Sequence, residues 1–147
     1  MKIGIGSDHV GCILKSTIIE WIKGMGHEVE DYGTYSKESC DYPDYAKKVA
    51  EAVQKKDCDL GVLICGTGVG ISIAANKVKG IRAACVSEIY SAKMSREHNN
   101  ANIICFGARV IGEEVAKEIV RTFLTTPYAG ERHQRRVEKI SKIEMGQ

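Results

Sequence analysis

The stretch from Leu60 to Lys77 constrains the fold more than any other part of this sequence. Its apolar run, Leu60 to Ile64, is typical of a strand buried in a parallel sheet. Cys65 ends the run, alternating glycines form a loop over Gly66 to Gly70, and small residues from Ile71 to Lys77 predict a helix. A strand, a tight loop and a helix in this order predict one repeating unit of an α/β fold.

The glycine loop has a chemical consequence for the cysteine in front of it. Closely spaced glycines let several backbone N–H groups point into one concavity, and a helix start adds partial positive charge. Such a nest binds an anion or a developing oxyanion, and it favours the thiolate form of a cysteine at its mouth. Two interpretations of Cys65 follow: a basic or nucleophilic thiol beside an oxyanion cradle, or a buried strand-end cysteine next to a tight turn.

Strand-like and helix-like patterns alternate along the rest of the chain. The predicted strands are Lys2–Ser7, Glu28–Tyr32, Leu60–Cys65, Ile81–Val86 and Asn102–Phe106. The first predicted helix carries the apolar stripe Leu14, Ile18, Trp21, Ile22 and Met25 and stops at Gly26, and the second begins at Pro43. The other predicted helices span Ile71–Lys77, Tyr90–His98, Gly112–Leu124 and Glu131–Met145. This alternation predicts a five-stranded parallel sheet covered by helices on both faces, in one domain over residues 1–147.

Composition excludes several classes of function. The net charge of +2 gives no sign of a nucleic-acid partner, and the apolar runs are too short to cross a membrane. The N-terminus turns polar after a few residues, unlike a signal peptide. The six cysteines contain no C-x-x-C pair, which argues against a zinc or redox motif, and we expect all of them to be reduced thiols in a cytoplasm. Cys85 and Cys105 lie in apolar runs and are expected in the core.

The C-terminal segment, residues 131–147, is helical in pattern but heavily charged. Val137, Ile140 and Ile143 form only a thin apolar stripe, so we expect this helix to pack across a partner subunit. Arg132 and Arg136 are four residues apart, project from one face, and could jointly grip a phosphate. The alternative is a solvated terminal helix.

Polar residues end three of the predicted strands. Asp8 and His9 follow the first strand, Cys65 ends the third and Arg109 follows the fifth, so we expect them at one edge of the sheet, where α/β proteins bind ligands. His9 could instead cap the next helix. His98 and Asn99 end a helix that runs back toward the opposite edge. They are therefore either a helix stop or part of a neighbouring subunit's site.

A dinucleotide site finds little support. The first turn reads Gly4-x-Gly6-x-x-His9, whereas the fingerprint requires a small third residue at position 9. Asp31 stands about where a ribose-binding acid would. The central glycine loop, however, follows the third strand and is not followed by the Gly-Lys-Ser/Thr of a phosphate-binding loop.

Six ordered blocks, spread over nearly the whole chain, together resemble the ribose-5-phosphate isomerase type B family. They read GSDHVG, DYPDYA, ICGTGVGISIAANK, REHNNAN, FGARVIG and RHQRRVE. The resemblance implies a Rossmann-like three-layer α/β/α sandwich and a cofactor-free, metal-independent aldose–ketose isomerase. It also implies a homodimer with shared active sites, or a tetramer assembled from such dimers, with the C-terminal helix at the interface.

The resemblance also assigns roles by position. Cys65 would be the base that removes the C2 proton of the open-chain sugar, Thr67 would help move a proton between O1 and O2, and His98 would open the furanose ring. The loop that would hold the cis-enediolate comprises Gly66, Thr67, Gly68, Val69 and Gly70. The other implied substrate contacts are Asp8 and Asn99 to sugar hydroxyls, His9, Arg109, Arg132 and Arg136 to phosphate and sugar, and Tyr42 as a pocket wall.

The resemblance leaves open whether the ligand is a pentose phosphate or a hexose phosphate, and whether it is turned over. Ribose 5-phosphate is favoured by His98, which galactose-type subunits replace. The alternatives are an isomerase of a six-carbon sugar phosphate, such as allose or galactose 6-phosphate, and a non-catalytic phosphosugar-binding module. An intact set of Cys65, Thr67 and His98 would have no purpose in the latter.

Overall fold

Five strands and six helices alternate along the chain, all 147 residues of which are described by the computed structural model. The strands are β1 (Lys2–Ser7), β2 (Glu28–Asp31), β3 (Leu60–Cys65), β4 (Ala83–Cys85) and β5 (Ile103–Gly107). The helices are α1 (Cys12–Gly24), α2 (Tyr42–Gln54), α3 (Val69–Ala75), α4 (Ile89–Glu97), α5 (Glu113–Thr125) and α6 (Arg132–Glu144).

The strands form one parallel sheet, as the alternating pattern predicts, and their order is β2-β1-β3-β5-β4. The chain leaves β1 toward one side to form β2 and then crosses to the other side to form β3. The topological switch point therefore lies between β1 and β3, where α/β folds bind their ligands. Ser7 pairs with Ile64 and Cys65 pairs with Gly107, so the carboxyl ends of β1, β3 and β5 meet at one edge.

Each face of the sheet has its own hydrophobic core, which makes the molecule a three-layer α/β/α sandwich. Successive strand residues point to opposite faces, so Val62 and Ile64 pack with α1, α4 and α5, whereas Leu63 and Cys65 pack with α2 and α3. The buried residues at helical spacing, such as Ile18 and Ile22 in α1, form the matching helix faces. Cys65 consequently faces the α2–α3 side at the functional edge of the sheet.

Most predicted boundaries are confirmed. Pro43 lies in the first turn of α2, and Gly26, with a φ of +89°, follows the end of α1. Helix α3 begins at Val69 rather than Ile71 because Gly68, in the left-handed conformation, ends the loop two residues earlier than predicted. Cys105 is fully buried, as predicted.

The prediction for Cys85 is wrong: this cysteine is exposed. It ends β4, which is a short edge strand of three residues rather than the six predicted over 81–86. An edge strand is covered by a neighbouring strand on one side only, so an apolar run there does not guarantee burial.

The charged C-terminal helix forms as predicted. His133 and Val137 are its buried residues, whereas Ile140 and Ile143 are 46% and 74% exposed. The carboxylate of Glu144 accepts hydrogen bonds from the Gly80 N–H at 3.0 Å and fastens the far end of the helix. None of the six helices has the length and apolar character that crossing a membrane requires.

Candidate active site

An open cleft of about 460 Å³ lies at the carboxyl edge of the sheet, between the ends of β1 and β3. We call it the thiol cleft. Its lining residues are Asp8, His9, Val10, Tyr42, Cys65, Gly66, Thr67, Val69, Gly70 and Arg109. The volume suits a small metabolite. The topology thus brings the residues after three different strands into one site, as the sequence predicts.

Cys65 lies at the floor of the thiol cleft and is 4% exposed. Its sulfur accepts a hydrogen bond from the Gly68 N–H, with 3.1 Å between nitrogen and sulfur. The loop closes this tightly because Gly68 has a φ of +82° and because a Cβ there would lie 2.7 Å from the carbonyl carbon of Phe106. The glycine loop therefore holds the sulfur as a hydrogen-bond acceptor.

Two further glycines bring the loop against its neighbours. A Cβ at Gly107 would lie 2.6 Å from the Gly66 carbonyl oxygen, and one at Gly70 would lie 2.7 Å from the Tyr42 ring. Tyr42 therefore forms a wall against the loop, in the place the resemblance implies. The Thr67 hydroxyl accepts a hydrogen bond from the Val69 N–H at 3.2 Å, which leaves its own proton free to donate.

Backbone N–H groups donate hydrogen bonds to the side chains of both Asp8 and His9 and hold them in place. The Oδ1 atom of Asp8 accepts the N–H groups of Val10 and Gly11, at 3.0 and 3.2 Å. The Nδ1 atom of His9 accepts the N–H of Cys40 at 3.2 Å. In a neutral imidazole with an accepting Nδ1, the proton is on Nε2, so the other ring nitrogen is a donor.

Arg109 supplies the positive charge of the thiol cleft. Its backbone N–H donates to the Gly66 carbonyl at 3.1 Å, which anchors the residue to the glycine loop. The side chain is exposed and runs beside Gly66. A guanidinium in this position can bind the phosphate or a sugar oxygen of a ligand at the cleft mouth.

The remaining predicted site residues lie outside the thiol cleft of their own chain. We call them, together with His133, the basic cluster: His98, Asn99, Arg132, His133 and Arg136. The rings of His98 and His133 stack with their centroids 4.1 Å apart and 14° between their planes. Burial, together with the charges of His98, Arg132 and Arg136, lowers the pKa of His133, which keeps that imidazole neutral at neutral pH. One chain therefore presents the predicted site residues in two separate groups.

Asp31, the candidate ribose-binding acid of the dinucleotide alternative, forms an ion pair within the chain. The Oδ1 atom of Asp31 accepts a hydrogen bond from the Lys15 ammonium at 2.6 Å and another from the Gly33 N–H at 2.9 Å. One carboxylate oxygen of Asp31 is therefore committed to the ion pair with Lys15. No three histidine, cysteine or carboxylate side chains converge as metal ligands would.

Sequence reasoning missed three residues around these sites. His133 lies between the two predicted arginines but was given no role. Lys15 is 2% exposed and lies at helical spacing from Ile18 and Ile22. A lysine on an otherwise apolar helical stripe is a sequence signal of a buried ion pair. Cys40 acts through its backbone N–H, for which the sequence carries no signal.

Comparisons with known proteins find relatives in both sequence and fold. A family model described as Ribose/Galactose Isomerase matches residues 3–140. Ribose-5-phosphate isomerase B of Escherichia coli K12 is 57% identical over 143 residues, covering 97% of this chain and 96% of that protein. The structure of the Clostridium thermocellum ribose-5-phosphate isomerase B is also 57% identical, with a TM-score of 0.98 and 99% of both chains covered. The Mycoplasma genitalium ribose-5-phosphate isomerase B, solved with bound ribulose-5-phosphate, is 44% identical with a TM-score of 0.94, over 99% of this chain and 97% of that one.

Proposed function

This chain belongs to the ribose/galactose isomerase family, and we propose that it interconverts ribose 5-phosphate and ribulose 5-phosphate through a cis-enediolate. The observation that carries the proposal is the Cys65 sulfur, held as a hydrogen-bond acceptor by the Gly68 N–H on the floor of a cleft lined by further donors. A proton α to a carbonyl is weakly acidic, and its removal needs a base and donors for the developing oxyanion in one place. The thiol cleft offers both.

The proton transfers can be assigned to residues of the thiol cleft. The Cys65 thiolate removes the proton from C2 of the open-chain aldose, and the electron pair moves through C1 to the carbonyl oxygen. The amides of Gly66 to Gly70 stabilise the resulting enediolate. Thr67 moves a proton between O2 and O1, and the Cys65 thiol returns its proton to C1 to give the ketose. Each donor of this kind contributes about 3–4 kcal/mol to transition-state stabilisation.

The basic cluster completes the site from a second copy of the chain in this proposal. His98 opens the furanose ring, Asn99 and Asp8 orient sugar hydroxyls, and the two arginines of the cluster grip the phosphate with His9 and Arg109. The support is that His98, Asn99, Arg132 and Arg136 do not line the thiol cleft of their own chain.

Exposed apolar side chains offer a surface for the second copy. Val69 and Ile73 of α3, and Ile140 and Ile143 of α6, are all about half-exposed or more. We therefore propose a homodimer with shared sites, in which residues 131–147 lie at the interface of a single catalytic domain spanning 1–147. Its six free cysteines fit a cytoplasmic enzyme.

Replacing Arg136 with alanine is expected to raise the KM for ribose 5-phosphate by about tenfold or more, because a charge-assisted phosphate contact is lost. The kcat should change only a few-fold, since the phosphate is remote from C2. Steady-state kinetics would measure both constants. Arg135→Ala, in the same helix, is the matched control and should leave both unchanged. An unaltered KM in Arg136→Ala would argue against its phosphate role.

The main alternative is a six-carbon sugar phosphate as substrate. Comparing kcat/KM for ribose 5-phosphate and allose 6-phosphate separates the two. Relatives at 57% identity that act as ribose-5-phosphate isomerases favour the pentose.

A further inference from the structure

Lys15 is a fully buried cation that the proposed reaction does not use. Its side chain is 2% exposed, and its Nζ atom donates to Asp31 Oδ1 at 2.6 Å and to the Thr34 carbonyl at 2.7 Å. The Tyr35 ring lies 4.9 Å from the same atom. A buried lysine is retained only where its charge is paired and hydrogen-bonded, so this contact is a defined structural joint.

The joint fastens the start of the segment between β2 and α2, residues 32–41. This segment contains no helix or strand, and residues 35–39 are all exposed. Gly33 and Thr34 are tied to the end of β1: the Ser7 N–H donates to the Gly33 carbonyl at 2.7 Å, and the Thr34 N–H donates to the Ser7 carbonyl at 2.8 Å. Lys15 holds Thr34 from the other side. The start of the segment is thus anchored to Ser7, which directly precedes Asp8 and His9 in the chain.

The other end of the segment contacts the thiol cleft. The Cys40 N–H donates to His9 Nδ1 at 3.2 Å. The hydrogen bonds of residues 35–39 stay within the segment and its entry, from the Tyr35 hydroxyl to the Asp31 carbonyl and from the Glu38 N–H to Ser36 Oγ. Cys40 lies two residues before α2 begins at Tyr42, and the segment that leads to it is anchored at its other end by the buried Lys15 joint.

We propose that Lys15 is a positioning residue for His9. By fixing Thr34 and Asp31 it holds the segment in the conformation in which the Cys40 N–H occupies His9 Nδ1. That contact makes Nδ1 the acceptor and so favours the tautomer with N–H on Nε2, as a donor to an oxygen of the substrate. The substrate side of this inference rests on the proposed isomerase function, whereas the tautomer of His9 does not.

The test uses Lys15→Met, with the full chain labelled with ¹⁵N-histidine. Long-range ¹H–¹⁵N spectra distinguish the two neutral tautomers and the protonated ring, and the chain has only four histidines to assign. In the wild type the neutral form of His9 should be the Nε2–H tautomer alone. In Lys15→Met it should show a mixture of forms, with the KM for ribose 5-phosphate raised about tenfold and kcat changed much less. Lys23→Met, an exposed lysine on the same helix, is the control and should match the wild type.

A second variant keeps the proposal falsifiable if Lys15→Met does not fold. Asp31→Asn preserves the shape of the joint and weakens the ion pair, so it should produce a smaller change of the same kind in both the His9 spectrum and KM. The proposal is overturned if His9 in the wild type is not the Nε2–H tautomer, or if a folded variant keeps that tautomer pure with an unchanged KM. A tautomer change in a protein without isomerase activity would uphold the positioning role and refute the proposed function.

Discussion

Replacing Cys65 with alanine is expected to lower kcat for ribose 5-phosphate by roughly a thousand-fold, because the loss of a positioned base typically costs a factor in the range 10²–10⁴. Ligand binding should survive, since the phosphate and hydroxyl contacts belong to other residues. Steady-state kinetics measures the first effect. The rise in thermal midpoint that saturating ribose 5-phosphate causes measures the second.

Two matched variants sharpen this result. Cys65→Ser keeps a small acceptor for the Gly68 N–H but lacks an acidic thiol, so it should be nearly as inactive as the alanine variant. Cys12→Ala removes a thiol outside the thiol cleft and should retain wild-type turnover. Near-normal turnover in Cys65→Ala would refute Cys65 as the base.

Mixing two inactive variants is expected to restore activity if the sites are shared. In a hybrid dimer of Cys65→Ala with His98→Asn, one site carries both substitutions. The other combines the native Cys65 of one chain with the native His98 of its partner. Random assembly makes half of the dimers hybrids, and one of the two sites in each hybrid is native. About a quarter of wild-type activity should therefore return for a two-fold symmetric dimer.

The measurement is isomerase activity after the two purified variants are co-refolded, with each variant refolded alone as the control. The lone variants should remain inactive. If His98 served the cleft of its own chain, no hybrid site would be native and no activity would return. The assay therefore tests the arrangement of the thiol cleft and the basic cluster without a structure of the dimer.

Much of the fold could be predicted because it depends on local patterns. The apolar runs of β1, β3 and β5 and the amphipathic stripes of α1 and α5 are strong periodic signals, and alternation implies a parallel sheet. The failures occur where tertiary context decides. Cys85 lies in an apolar run but is exposed, because whether a strand lies at the edge depends on strand order. The start of α3 depends on the left-handed φ of Gly68.

The site was predictable to the extent that its residues follow strand ends. Asp8, His9, Cys65 and Arg109 meet because parallel strands bring their carboxyl ends together. That His98 could lie away from this cleft follows from the sequence only through the direction of its helix, which runs back toward the opposite edge of the sheet. Lys15 is not among the predicted residues, although its place on an apolar helical stripe signals a buried ion pair. Cys40 contacts His9 through a backbone N–H, which no residue pattern encodes.

The most direct test of the central claim is isomerisation of ribose 5-phosphate by the purified protein in deuterium oxide with excess EDTA. A cysteine base predicts undiminished turnover without a divalent metal ion, and it predicts carbon-bound deuterium in the product, because a thiol proton exchanges with solvent. Turnover that stops in EDTA and returns with added metal ion, with the substrate hydrogen fully retained in the product, would contradict proton transfer by Cys65.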